Sequence, residues 1–208
     1  MKLKSVIATA ALCTTIITQS CEKNMTITAR HATLHDLDAI TELSHDLYQN
    51  HFQSIWEKYH GPSQFVHEKM FAADIAYKNI IEKQTNNESN EKLLVAELAT
   101  NTETRVVGMC RFDKREVQKI YVKFLAIDKE FRRQGIATHF MNIMLNKFND
   151  ITTYEFRTLK DNEITNNMFI KYGCVQTGES TLDPKTGTIT TDPNLPMIYN
   201  DYSYMVKK

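Results

Sequence analysis

From Arg132 to Ala137 the chain reads Arg-Arg-Gln-Gly-Ile-Ala, two guanidinium groups beside a turn of small residues. A turn of this kind that opens a helix leaves several backbone N–H groups free at the positive end of the helix dipole. With arginines at its flank it is a seat for a phosphate or pyrophosphate. Such a seat works only if the neighbouring elements aim those groups at one point. Before the turn, Ile120, Tyr121, Val122, Phe124, Leu125 and Ile127 form an apolar, β-branched and aromatic run that predicts a buried strand. After it, Ile136, Phe140, Ile143, Met144 and Phe148 fall on one helical stripe. Strand, basic turn and amphipathic helix together predict an anion site on a rigid support.

The same residues resemble the signature of the GNAT family of N-acetyltransferases. Its motif Arg/Gln-x-x-Gly-x-Gly/Ala is matched by Arg132, Gly135 and Ala137, and its strand ending hydrophobic-x-hydrophobic by Leu125, Ala126 and Ile127. A second stretch, residues 162–174, is similar to the family's downstream motif, with Asn162, Phe169, Lys171 and Gly173 at its Asn, Tyr, Lys and Gly positions. Thr165 replaces the usual Ala, Phe169 the usual Tyr, and Cys174 the final Phe. The strand before it, residues 152–159, sets Tyr154, Phe156 and Thr158 against Thr153, Glu155 and Arg157, and Gly173 predicts a C-terminal helix cap.

The resemblance implies an α/β fold, a central mixed sheet flanked by helices. It implies an enzyme that transfers the acetyl group of acetyl-CoA to a primary amine of a small molecule or protein, directly in a ternary complex. Leu125, Ala126 and Ile127 would pair with the pantetheine arm. Arg132, Arg133, Gln134, Gly135, Ile136, Ala137 and Thr138 would surround the pyrophosphate, with Asn162 and Phe169 contributed by the second motif. A backbone N–H near the strand end would polarise the thioester carbonyl. A carboxylate acting through water would take the amine proton. At the positions where many members carry Glu and Asp, this chain has Lys123 and Phe124. Glu97 is a substitute base or a solvated strand residue. Tyr172 is a substitute acid for Phe169, though a core tyrosine is the favoured reading. A catalytically silent acyl-CoA-binding module is the alternative function.

The remaining pattern predicts the same organisation. Residues 26–30 read as a strand, and Thr33 with Asp36 starts a helix whose apolar face is Leu37, Ile40, Leu43 and Leu47. A second helix is predicted over 63–82 with Val66, Met70, Phe71, Ile75 and Ile80 inward, then a polar loop over 85–90. Strands over 93–98 and 105–112 form a hairpin. A short strand at Val175, a loop over 178–196 and a closing strand over 197–206 complete the chain.

A chain of 208 residues is long enough for one full core. Zero net charge argues against nucleic acid or an anionic membrane as partner. Residues 1–24 are signal-like: Lys2 and Lys4 precede an apolar run, and Ser20-Cys21 resembles a lipoprotein processing point. Alternatively Met25 is the start of the acetyltransferase domain, residues 25–208. Need for acetyl-CoA favours the cytoplasm, while lipidation at Cys21 would give a membrane-anchored envelope lipoprotein. A homodimer stays open as an assembly. The four cysteines, Cys13, Cys21, Cys110 and Cys174, suggest no disulfide framework. Six of the seven histidines fall between His31 and His67 without metal-ligand spacing, so no metal is expected. Tyr48, His51, Phe52, Trp56, Tyr59 and His60 form an aromatic group that either lines an acceptor pocket or packs between helices.

Overall fold

The computed structural model describes residues 14–17, 26–47, 49, 64–147, 150–182, 189–192 and 197–206. Among these residues one mixed sheet runs in the order β1-β2-β3-β4-β5-β6-β9-β7-β8. Its strands are β1 Thr14–Ile17, β2 Thr26–His31, β3 Glu91–Ala99, β4 Thr104–Glu116, β5 Lys119–Ile127, β6 Thr153–Leu159, β7 Val175–Leu182, β8 Ile189–Thr190 and β9 Met197–Met205. The helices are α1 Leu37–Leu47, α2 Gln64–Thr85, α3 Ile136–Lys147 and α4 Glu163–Tyr172. Only β5 and β6 pair in parallel; every other neighbouring pair is antiparallel. The expected α/β class with a mixed sheet is therefore the observed one.

Two cores lie on opposite faces of the sheet. On one, Ile40 of α1 and Tyr77, Ile80 and Ile81 of α2 pack with Leu93, Val95, Met109 and Ala126. On the other, Ile136, Phe140 and Met144 of α3 and Phe169 of α4 pack with Ile120, Val122, Tyr154, Phe156 and Tyr202. Alternation along each central strand supplies both faces, which is why β3 and β5 read as continuous apolar runs.

Local chemistry sets the element ends. The Asp36 carboxylate receives the Thr33 N–H at 2.7 Å and the Thr33 hydroxyl at 2.9 Å, so the predicted cap shapes a 3-10 turn leading into α1. Gly173 adopts φ 92, and its N–H reaches the Ile170 carbonyl, closing α4 as predicted.

Three expectations need correction. Ile75 does not face inward; it is half exposed, because the buried stripe of α2 runs Tyr77, Ile80, Ile81 and Gln84, with which Ile75 is out of phase. The helix also continues to Thr85, since Gln84 is buried and bonds the Leu93 N–H at 2.7 Å and the Ala32 carbonyl at 3.1 Å. The region from Gly178 is not a continuous loop. β7 continues to Leu182 against β9, and β8 pairs with it. Its Ser and Thr residues look loop-like, yet Ser180 and Thr181 are buried and their hydroxyls bond Asp201 Oδ1 and the carbonyls of Thr190 and Asp192.

Within the signal-like segment, Thr14–Ile17 pairs with β2. Met25, Cys13, Cys21, the aromatic group from Tyr48 to His60, and Phe148 lie outside the described residues, as do the side chains of Val66, Met70 and Phe71. Among the described residues no helix is long and apolar enough to cross a membrane.

Candidate active site

The two edges of β5 are paired unequally. Toward β4 it is bonded along its whole length, from Lys119 to Ile127. Toward β6 the pairing covers only Lys119↔Thr153 through Val122↔Phe156. Beyond those four pairs the ladder stops, so residues 123–127 of β5 and residues 157–159 of β6 are not paired with each other, an opening in the ladder. Backbone groups of β5 that point into it have no ladder partner on β6. A bulge marks the parting: Arg111 pairs with Phe124 and Phe112 with Val122, leaving Lys123 as the extra residue. Bulges increase local bend and twist, which turns the end of β5 away from its neighbour. Leu125 and Ile127 lean on the core beneath α3, while Phe124 packs toward α1 and α2.

The basic turn sits at the head of this opening. A second bulge, at Val107 of β4, leaves its carbonyl to accept the Asp128 N–H at 3.0 Å, fixing where the chain leaves β5. Asp128 caps the short 3-10 turn Lys129–Phe131 through the Glu130 N–H at 3.0 Å. The Arg105 guanidinium lies 4.5 Å from the Phe131 ring centroid, which braces that turn from β4. The backbone then passes through two left-handed residues, Arg133 at φ 67 and Gly135 at φ 83. This conformation turns successive N–H groups toward one concavity, a nest for an anion. The first intrahelical bond of α3 runs from the His139 N–H to the Gly135 carbonyl, so the N–H groups ahead of it are the orphans every helix start carries. The loop geometry therefore fits a pyrophosphate.

Arg132 is placed differently from Arg133. Its Nε donates to the Ile127 carbonyl at 3.0 Å, and its guanidinium lies 3.8 Å from Asp46 of α1. It ties the loop to the strand end and to the neighbouring helix, while Arg133 is exposed. Asp46 also lines a cavity of about 500 Å³ with Asp38, Thr41, Glu42, His45 and Gln49. Asp38, Glu42 and Asp46 follow one another at one-turn spacing, a pattern legible in the sequence but missed there.

Glu97 and Tyr172 are each held by a structural partner. Glu97 lies on β3, two strands from β5, and is clamped by Arg30, whose Nε reaches it at 3.0 Å. Arg30 also bonds Asp36 at 2.7 and 2.9 Å, so the carboxylates and guanidinium form one structural cluster. Tyr172 ends α4, about 13.5 Å along the helix from its start. Its hydroxyl donates to Asn142 Oδ1 at 2.9 Å, and burial pushes its pKa up to about 12. Phe169 is buried with its ring 4.9 Å from Phe156 and 5.3 Å from Tyr202. Lys123 binds Glu91 at 2.7 Å and Asp113 at 3.4 Å, and Glu91 also takes Arg111 at 2.8 Å. Burial raises the Glu91 carboxyl, but the bonds from Arg111 and Lys123 win and hold it below the usual range. Asn162 uses its side-chain oxygen to cap α4 through the Thr165 N–H at 3.2 Å.

Cys110 and Cys174 are buried, and burial pushes their thiols up to about 12 and about 11. Among the described residues no group of three His, Cys, Asp or Glu side chains is arranged to hold a metal ion.

Solved structures share this architecture. An N-acetyltransferase from Staphylococcus aureus superposes with a TM-score of 0.58 at 19% identity, covering 87% of this chain and 99% of its own. The PaiA N-acetyltransferase of Thermoplasma acidophilum, solved with coenzyme A, gives 0.60 at 12% identity, covering 86% and 99%. A ribosomal-protein-alanine N-acetyltransferase from Brucella melitensis gives 0.57 at 13% identity, again covering 86% and 99%. At these identities the likeness shows the fold. No protein of curated function matches the chain. The acetyltransferase (GNAT) family model matches residues 43–173, more than half of the chain, including β5, β6 and the basic loop between them. The protein belongs to the GNAT acetyltransferase family.

Proposed function

We propose that this chain transfers the acetyl group of acetyl-CoA to a primary amine of a small molecule or protein, by direct transfer in a ternary complex. The observation that carries the reading is the opening between β5 and β6 headed by a loop with two left-handed residues. The unpaired edge of Leu125, Ala126 and Ile127 takes the pantetheine arm as an added strand, and an N–H of that edge stabilises the thioester oxygen. The loop N–H groups and Arg133 hold the pyrophosphate, with Arg132 joining once released from Ile127. The amine attacks the carbonyl carbon, a C–N bond forms and the C–S bond breaks. The thiolate takes a proton from solvent, and the amine proton leaves through water. The carboxylates of α1 beside the loop favour a cationic acceptor, which loses its proton before attack.

Thiol release over a panel of amines tests this directly. Acetyl-CoA-dependent release with at least one amine supports transfer. A second reading, a silent acyl-CoA-binding module, is favoured by Phe169 and by the engagement of the Tyr172 hydroxyl with Asn142. Tight acetyl-CoA binding without turnover on any amine selects that reading. A cytoplasmic location is part of the proposal; a mature N-terminus acylated at Cys21 would replace it with a membrane anchor.

A further inference from the structure

Asn166 lies within α4 and is buried, with 8% of its surface exposed. Its amide nitrogen reaches three carbonyls of the turn from β6 into α4: Leu159 at 3.1 Å, Lys160 at 3.0 Å and Asn162 at 2.8 Å. Its oxygen accepts from Asn200 Nδ2 at 2.9 Å and from the Tyr202 hydroxyl at 2.7 Å, both on β9. Asn200 in turn accepts from Gln176 of β7 at 3.2 Å. One side chain thus ties the turn to its helix and to two strands beyond it. A buried amide left without partners is destabilising. The full set of partners around Asn166 makes it a rigid post rather than a tolerated core polar residue.

That turn is the far wall of the opening. β5 ends at Ile127 and β6 at Leu159, and no ladder pairing between the two strands fixes their spacing beyond Val122 and Phe156. We infer that Asn166 sets the separation of these strand ends, and with it the fit of the thioester arm; this rests on the reading of the opening as the acetyl-CoA cleft. Asn166 is a positioning residue. It acts through the backbone of residues 159–162 and not on the reacting atoms.

Calorimetry with three probes tests it: acetyl-CoA, acetyl-pantetheine, and the nucleotide portion of coenzyme A alone. Asn166→Asp keeps the acceptor for Asn200 and Tyr202 but removes the protons offered to the three carbonyls. The folded variant is expected to bind acetyl-CoA and acetyl-pantetheine about tenfold more weakly, while the nucleotide portion binds as before. Tyr202→Phe leaves the amide over the turn and removes one of its anchors, so it gives the same pattern at about threefold. That milder variant decides the matter if a buried carboxylate prevents Asn166→Asp from folding. Unchanged thioester binding in a folded variant overturns the inference and leaves the cofactor reading standing. Equal losses for all three probes also overturn it, since they mean general loosening. If the wild-type chain binds none of the three, it is the cofactor reading that falls, and the inference with it.

Discussion

At the scale of single residues, the two positions singled out for proton transfer are occupied by structure. Tyr172 spends its hydroxyl on Asn142, joining α4 to α3. Tyr172→Phe is therefore expected to cost about 0.5–1.5 kcal/mol of stability, read from chemical unfolding, and to leave turnover within twofold. A loss of tenfold or more in thiol release would instead assign it as the acid. Glu97 sits in the Arg30 clamp, and removing its charge leaves a part-buried guanidinium half paired. Glu97→Gln should lower stability by about 1–2 kcal/mol with turnover retained; a collapse of turnover in a stable variant would restore it as the base. The sequence could suggest both residues because their types suit the chemistry. It could not show who else bonds them, because Arg30 and Asn142 are distant along the chain and carry no spacing signal.

At the scale of elements, the order of strand, turn and helix from Lys119 to Lys147 was legible, because hydrophobic period and turn composition are local. Legibility failed where partners across the sheet override composition. β7 carries Gly, Ser and Thr and reads as loop, but β9 supplies its ladder. Lys123 was visible as an odd residue in the motif, whereas its role as the extra residue of a bulge needs the register with β4. The parting of β5 from β6 is likewise a property of pairing, not of either strand. Gly135 is the clearest test of this level. At φ 83 it occupies a backbone region closed to β-branched residues, and a Cβ there meets no atom within 4 Å, so the penalty is conformational and not steric. Gly135→Val should cost about 1–2 kcal/mol of stability and abolish measurable acetyl-CoA binding by turning the loop N–H groups out of register. Unchanged affinity in the folded variant would remove this loop from the cofactor site.

At the scale of the whole molecule, two charge clusters stiffen the half of the sheet that α1 and α2 cover. Burial raises the Asp36 carboxyl, yet bonds from Arg30 and Thr33 outweigh it, and Asp36, like Glu91, stays below its ordinary value. For depressed carboxyls the contribution is present above the unfolded value and disappears as pH falls through the folded one. Stability should therefore hold down to about pH 4.5 and drop steeply below about pH 4. Asp36→Asn should lower the plateau and flatten that drop; a drop of unchanged depth would place the acid sensitivity elsewhere.

The four residue pairs joining β5 to β6 also have a consequence for supply and demand. Among the described residues they are the only ladder between a half-sheet of five strands and one of four, so the sheet carries a seam in its middle. A thioester arm lying along the open stretch of that seam would bridge both halves at once. Occupancy then adds to folding stability by mass action, about 2.7 kcal/mol when the thioester stands at a hundred times its dissociation constant. Amide deuterium uptake at residues 123–127 would report it, slowing as acetyl-CoA is titrated in. A chain built this way is most durable when its acyl donor is abundant and most easily degraded when the donor runs short, so its abundance would follow the metabolic state that feeds it.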